Sequence, residues 1–539
     1  MKLLRPSIGA TALAMLATAW IMLAVNPVFW GKVSQGFGDH LAGMAAFSTG
    51  IVALTACALI SVSVKYLIKP LYVFLLISAA AASWFMQQYG TIIDTSMIRN
   101  AAETTRSEAG HLLSPAFLVH MTIYGLLPAL AVMLVRVRHR PIVAKVKYNL
   151  LIIVPLLCLT GVLAIWQFPA IASTLRNNKL IIKTLNPLTP IASAVKYAVR
   201  SGQERAIVAA PLDTDARLGD IAGKASKPVL TVIVVGETAR AQDFSLGGYE
   251  RKTNPGLEQR DIAYFSNTTS CGTATAASVP CMFSRLTRSQ YSHDKGLAEE
   301  NLLDVLTHAG LKVTWWENNT GDKRVATRIQ RRNFSVENDP AYCVKNECRD
   351  EVMVAALGQW LDGLNANATL VIHQLGSHGP AYYARYTEDE RVFQPDCRTA
   401  EFADCSAQEI RNAYDNTIIA TDRMLSQIID QLDARSDRIA STMVYMSDHG
   451  ESLGENGLYL HGMPYMFAPD EQTHIPFLMW ISKSYASIFG FDAKCLRGQA
   501  TDAYSHDNLF HTVLGLMNVE AVHYDPGLDV TSRCRAERS

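Results

Sequence analysis

"VLTVIVVGETAR", residues Val229–Arg240, decides the fold. Its first seven residues are apolar or β-branched without a polar alternation, the composition of a strand buried on both faces. The run ends at Gly236 and delivers a carboxylate, Glu237. That carboxylate has two readings, a metal ligand or a cap for a following helix. A second run, Thr442–Met446, leads into Ser447-Asp448-His449-Gly450-Glu451. Further strands are expected at Lys312–Trp316, Thr369–His373 and Ile475–Ile481, with helices at Asp350–Leu364 and Gln408–Leu432. Strands alternating with helices imply a mainly parallel sheet covered on both faces, with chemistry at the carboxyl ends of its strands.

Asp448 and His449 at such an end offer a hard oxygen and an imidazole nitrogen, a pair suited to zinc. Glu237 would make three protein ligands and leave a fourth position for substrate, water or a nucleophile. The fourth group can come from Phe265–Ser284, "FSNTTSCGTATAASVPCMFS", which is dense in hydroxyls and bracketed by Cys271 and Cys281. Ser266, Thr268, Thr269, Ser270, Thr273, Thr275 and Ser278 all compete there, and spacing does not choose among them. His378, in "HQLGSHGPAYY", and His461, in "GLYLHGMPY", sit in glycine-flanked loops where they could contact a phosphate, although single histidines are more often packed residues. Lys323, in "ENNTGDK" after a strand, could supply a cation for the same phosphate.

The first third of the chain has a different character. Five apolar stretches reach the ~20 residues that cross a bilayer: Thr11–Trp30, Ala42–Val64, Pro70–Tyr89, Ala116–Val135 and Asn149–Phe168. Lys2, Arg5, Lys65, Lys69, Arg136, Arg138, Arg140, Lys145 and Lys147 flank one side, and only Lys32, Arg99 and Arg106 the other. That bias puts the N-terminus in the cytoplasm and the C-terminal domain outside, which in a bacterium is the periplasm. The expected organisation is a five-helix transmembrane domain at 1–170, an amphipathic connector and linker at 171–227 and a catalytic α/β domain at 228–539. Within the connector, Pro187 and Pro190 are expected to break any helix. The outward loop Gln87–Ser114 carries Asn100, Thr104 and Glu108 at helical spacing, either a solvated face or a headgroup contact.

The chain has 539 residues and a formal net charge of zero, which argues against a nucleic-acid partner. Of its ten cysteines, eight lie beyond residue 270, as three close pairs and a distant pair. No C-x-x-C occurs, so disulfides in an oxidising compartment are favoured over a zinc-cysteine cluster.

The combination of "VVGETAR", "GYERKTNP", "SCGTATAASVPCMFS", "HQLGSHGPAYY" and "SDHGESLGENGLYLHG" with five spans resembles the lipid A phosphoethanolamine transferases. These include the mobile colistin-resistance enzymes and belong to the alkaline phosphatase and sulfatase superfamily. The resemblance implies Thr275 as nucleophile and a zinc held by Glu237, Thr275, Asp448 and His449, with room for a second ion. It implies phosphoethanolamine contacts from Lys323, His378 and His461, and headgroup contacts from Asn100, Thr104 and Glu108. It implies the bridges Cys271–Cys281, Cys343–Cys348 and Cys397–Cys405, and leaves Cys495–Cys534 as a hypothesis. Phosphatidylethanolamine is the implied donor and lipid A the acceptor, with polymyxin resistance as the consequence and a monomer as the expected state. The alternatives are a transferase for the core sugars of lipopolysaccharide, a membrane-bound lipid phosphatase, or a sensor with a degenerate domain.

Overall fold

A seven-stranded sheet carries the C-terminal half: β1 (Val229–Gly236), β2 (Ile262–Phe265), β3 (Lys312–Glu317), β4 (Gln330–Asn333), β5 (Ala368–His373), β6 (Ala440–Ser447) and β7 (Phe477–Ile481). The computed structural model describes residues 6–204, 206–344 and 347–535, without the side chains of residues 106–108. The spatial order is β2-β7-β6-β1-β5-β3-β4. From β6 to β4 the neighbours run parallel, while β7 pairs antiparallel with both β6 and β2.

Every residue of β1 and β6 is buried, which is why both read as unbroken apolar runs. Val229, Ile233 and Val235 join a core with Leu302, Leu306, Leu509 and Val513 from two helices. The alternate residues Leu230, Val232 and Val234 are equally buried, so both sheet faces are covered. The expected helices form as Glu351–Asp362 and Ala407–Asp433. A capping box at Ser406 and Glu409 starts the longer one.

Contacts divide the chain into two units: residues up to Ile98 together with Leu113–Ala198, and Arg99–Leu112 together with the residues from Val199 on. Among the described residues of the first, four helices are long and apolar enough to cross a membrane: Leu41–Ser61, Ile68–Tyr89, Pro115–Leu134 and Ile142–Trp166. The first apolar stretch is not one straight helix but a pair, Ala10–Ala24 and Pro27–Phe37, bent by 66°. At 1.5 Å per residue the first piece is only about 22 Å long, short of a bilayer's ~30 Å core. Asn26 and Asn186 pin the bend. Asn26 Nδ2 donates to the Asn186 carbonyl at 2.7 Å, and Asn186 Nδ2 donates to the Val25 and Ala79 carbonyls at 3.0 and 2.7 Å. Such bonds close backbone acceptors that the break would leave unpaired in an apolar setting.

Of the two connector prolines, only Pro187 bounds a helix. Pro190 lies in the first turn of Leu188–Glu204, where its missing N–H has no intrahelical acceptor to lose. The polar stretch that follows is packed: Leu212, Ala216 and Ala222 are buried in the main core, and Arg217–Leu218 pairs with Val519–Glu520.

The second unit contains all four disulfides, Cys271–Cys281, Cys343–Cys348, Cys397–Cys405 and Cys495–Cys534. Cys57 and Cys158, in the apolar helices, are unbridged. Within this unit the segment Arg99–Leu112 is held by ion pairs: Arg99 to Glu204 at 2.5 Å, Glu103 to Lys323 at 2.9 Å and His111 to Glu347 at 3.2 Å.

Candidate active site

Glu237 follows β1 and Asp448 follows β6, so parallel pairing of the two strands sets their carboxylates side by side at one sheet edge. His449 follows Asp448. One ligand atom from each of the three residues lies within 4.8 Å of the others, and all three are buried. His449 Nδ1 bonds the Gly450 carbonyl at 2.9 Å, leaving Nε2 as the atom that faces Glu237 Oε1 at 3.5 Å and Asp448 Oδ2 at 3.4 Å. Asp448 Oδ1 accepts the His449 and Thr238 amides at 2.7 and 3.3 Å. Its Oδ2 is buried with no hydrogen-bond partner among the described residues.

Backbone shape holds Glu237 in place. Thr238 sits at φ +51°, a strained conformation for a β-branched residue and one that clusters at functional sites. Gly376 packs so close that a Cβ would lie 2.8 Å from the Glu237 carbonyl. Asn319 Nδ2 donates to Glu237 Oε2 at 2.6 Å.

Thr275 opens the helix Thr275–Met282, and its hydroxyl donates to Glu237 Oε2 at 3.0 Å, with His449 Nε2 at 3.5 Å. The competing hydroxyls turn elsewhere. Thr273 bonds the Met463 carbonyl at 2.6 Å, Ser270 the Gly272 carbonyl at 2.6 Å, and Ser278 is buried without a partner among the described residues. The bridge Cys271–Cys281 closes the loop that precedes and includes this helix. His506 fixes the loop from below, accepting the Cys271 amide on Nδ1 at 3.0 Å and bonding the Ser447 carbonyl through Nε2 at 2.9 Å. Burial pushes His506 down to about 4, so the ring is neutral, as both bonds require. His506→Leu orphans the buried Ser447 carbonyl and the partly buried Cys271 amide and should cost about 1–3 kcal/mol. Urea unfolding of the purified protein would read that loss.

His461 and His378 come to the same cluster, with ring centroids 5.4 Å apart, and His461 lies 4.4 Å from His449. His461 Nδ1 bonds Glu451 Oε2 at 2.9 Å, and the Tyr382 hydroxyl donates to Glu451 Oε1 at 2.6 Å. Burial alone would lower His461, but Glu451, then Glu237 and Asp448, lift it to about 9. Arg240 ties the loops together, donating to Asp243, the Glu451 carbonyl and Glu455.

The Lys323 side chain is buried and paired with Glu103 at 2.9 Å. Asn100, Thr104 and Glu108 do not share one continuous helix face. The helix Thr95–Glu103 ends at Thr104, whose hydroxyl competes with its own amide for the Asn100 carbonyl, and a new helix starts at Arg106. The Glu108 side chain lies outside the described residues. Sequence reading missed Asn319, Glu451, Arg240 and His506. Arg240, Asn319 and Glu451 lay within motifs already singled out, whereas His506 had no local signal.

Two carboxylates, an imidazole nitrogen and a hydroxyl converge in a buried site, which shifts the carboxyl groups. Burial first, then Asp448, raises Glu237 to about 7; burial raises Asp448 to about 7. A group raised in the folded state stabilises it fully below the unfolded pKa of ~4 and loses that contribution as pH climbs to the folded value. Chelated protein should therefore melt lower at pH 8 than at pH 5, by an amount of the order of 3 kcal/mol in stability. Adding zinc at pH 8 should restore it, which differential scanning fluorimetry can check.

An α/β sheet with this cluster at its carboxyl edge is the arrangement of the sulfatase class, and residues 230–519 match the Sulfatase family. Residues 51–201 match the family described as phosphoethanolamine transferase EptA/EptB. Phosphoethanolamine transferase EptA of Escherichia coli K12 is 37% identical over 543 residues, covering 98% of each chain. Phosphatidylethanolamine transferase Mcr-1 of Escherichia coli is 37% identical over 536 residues, covering 96% of each. The solved lipooligosaccharide phosphoethanolamine transferase A of Neisseria meningitidis superposes with a TM-score of 0.94 at 35% identity, over 99% of this chain and 100% of that one. The chain belongs to the phosphoethanolamine transferase family.

Proposed function

We propose that the protein transfers phosphoethanolamine from phosphatidylethanolamine to a phosphate of lipid A through a covalent phosphoethanolamine-Thr275 intermediate. The observation that carries this reading is the Thr275 hydroxyl, donated to Glu237 Oε2 at 3.0 Å beside three converging ligand atoms. The donor follows Mcr-1, named a phosphatidylethanolamine transferase, and the acceptor follows the meningococcal relative, named for lipooligosaccharide.

Glu237, Asp448 and His449, with Thr275 as fourth, would hold a zinc ion. Asp448 Oδ2, unpartnered among the described residues, and His449 Nε2, facing the two carboxylates, fit one, and mixed oxygen and nitrogen ligands suit zinc. When bound, the cation would lower the hydroxyl's pKa and offset charge on the phosphoryl group. Thr275 Oγ1 forms a bond to phosphorus and passes its proton to Glu237 Oε2, while the phosphorus–oxygen bond to diacylglycerol breaks. His461, held by Glu451, donates a proton to the departing diacylglycerol oxygen. A lipid A phosphate oxygen then attacks the same phosphorus and gives its proton to His461, while Thr275 Oγ1 leaves with the proton held on Glu237. Backbone N–H groups at the start of the Thr275 helix favour the phosphoryl charge. Lys323 would join them by exchanging Glu103 for the donor phosphate, with His378 and the Asn100–Glu108 segment contacting the headgroup.

The same reading places the chain in a bacterial inner membrane as a monomer, its N-terminus cytoplasmic and its catalytic unit periplasmic. Attaching an ethanolamine cation weakens the surface's attraction for cationic peptides, so lower polymyxin susceptibility is the expected phenotype. Expression in a bacterium with unmodified lipid A tests the reading by mass spectrometry. Lipid A should gain one phosphoethanolamine mass. Unchanged lipid A would overturn it, and a modified core with unchanged lipid A would select the core-sugar transferase instead.

A further inference from the structure

Beneath the cluster lie two buried ionisable groups that the chemistry above does not use. Glu317 ends β3 and His373 ends β5, directly opposite in register, with Glu317 Oε2 3.0 Å from His373 Nδ1. They are 4% and 0% exposed. The Trp315 indole donates to the same oxygen at 2.8 Å, and its ring meets His373 edge-on. The other carboxylate oxygen accepts the Asn319 amide at 2.6 Å and the Gly321 amide at 3.2 Å. Asn319 in turn donates its side-chain N–H groups to Glu237 Oε2 and to the Gln374 carbonyl, both at 2.6 Å.

Stability accounts for Glu317 as the acceptor of three N–H donors but not for an ionisable His373 as its partner. Burying a carboxylate against an imidazole gains little over two apolar side chains of similar volume. His373 Nε2 is also buried without a partner among the described residues, a cost that an apolar residue would avoid. What the pair does accomplish is geometric. Two contacts of Glu317, to the Asn319 and Gly321 amides, fix the turn that carries Asn319; the other two, to Trp315 and His373, hold Glu317 itself, and Asn319 fixes one oxygen of Glu237.

We propose that Glu317, oriented by His373, is a positioning residue for the reaction: through Asn319 it holds Glu237 Oε2 toward Thr275 and turns Oε1 toward His449. The inference rests on the reading of Glu237 as proton acceptor and ligand. Groups that orient a ligand this way typically change metal affinity or activity 10–100-fold when removed. Glu317→Gln sets an NH2 group against N–H donors and loosens the turn.

The test uses full-length protein in detergent, as wild type, Glu317→Gln, Asn319→Ala and the double variant. Zinc affinity is read by competition with a chromophoric chelator, and kcat and KM by diacylglycerol release from phosphatidylethanolamine. Each single variant should lose about 10–100-fold in zinc affinity and in kcat, with KM within about twofold. The double variant should be no worse than Asn319→Ala, because both changes act through one bond. A paired Glu317→Leu/His373→Leu variant should show the same affinity loss and melt below wild type, because the Trp315, Asn319 and Gly321 N–H groups lose their acceptor. Glu317→Gln with wild-type zinc affinity and kcat would overturn the proposal, as would losses that multiply in the double variant. A wild type that transfers without zinc would overturn the metal reading alone, since the kcat comparison still decides the role of Glu317.

Discussion

Thr275→Ala is expected to lower phosphoethanolamine transfer by on the order of 10⁴-fold or more, while the protein still folds and still binds a metal more weakly. Loss of a nucleophile costs that much in enzymes whose nucleophile and activating groups work as a unit. Thr275 makes its contacts at the site through the hydroxyl, to Glu237 and His449, and alanine is a better helix former at the first position of Thr275–Met282. The folded state should therefore lose about 1 kcal/mol at most. A purified Thr275→Ala variant assayed for diacylglycerol release and scanned for melting separates the two effects. Turnover within tenfold of wild type would remove Thr275 from the reaction.

Asp448→Asn should move activity and stability in opposite directions. Turnover should fall at least about 10²–10³-fold, because a charged ligand is replaced by a neutral one at the point where charge develops. The chelated variant should nevertheless melt above chelated wild type at pH 8. Two buried carboxylates then no longer face each other, and it is burial together with Asp448 that holds Glu237 at about 7. At pH 5 the two chelated proteins should converge, since protonation already relieves the wild type. Parallel thermal scans at both pH values give the answer, and a variant less stable than wild type at pH 8 would show the cluster to be structural.

Much of this was legible from local composition. β1 and β6 announce themselves because central parallel strands are buried on both faces, and each delivers its ligands to the carboxyl edge by strand direction alone. β4, reading Gln330-Arg331-Arg332-Asn333, is fully exposed, and nothing in it distinguishes a strand from a loop. The reversed direction of β7 depends on its partners and leaves no mark on Phe477–Ile481. The bend in the first apolar stretch had a signal in Asn26-Pro27, but the acceptor that makes Asn26 tolerable there, the Asn186 carbonyl, lies 160 residues away.

The site divides in the same way. Asp448 and His449 are adjacent in sequence and sit at a strand end, so they stood out. Thr275 was one hydroxyl among seven, and only its closeness to Glu237 sets it apart; family resemblance, not spacing, had singled it out. Asn319 and Glu317 lay inside a motif read for Lys323. Their roles come from bonds across the sheet, which sequence spacing does not encode. Asn100, Thr104 and Glu108 had helical spacing, yet the helix that carries Asn100 ends at Glu103 and another begins at Arg106.

The central claim is that Thr275 carries the group in transit. Full-length protein incubated with phosphatidylethanolamine and no acceptor, then digested with trypsin, yields the peptide Asp261–Arg285 for fragmentation by mass spectrometry. The expected result is one added phosphoethanolamine located on Thr275 and lost on addition of lipid A. An unmodified peptide from protein that is turning over, or the group on another residue, would contradict the account.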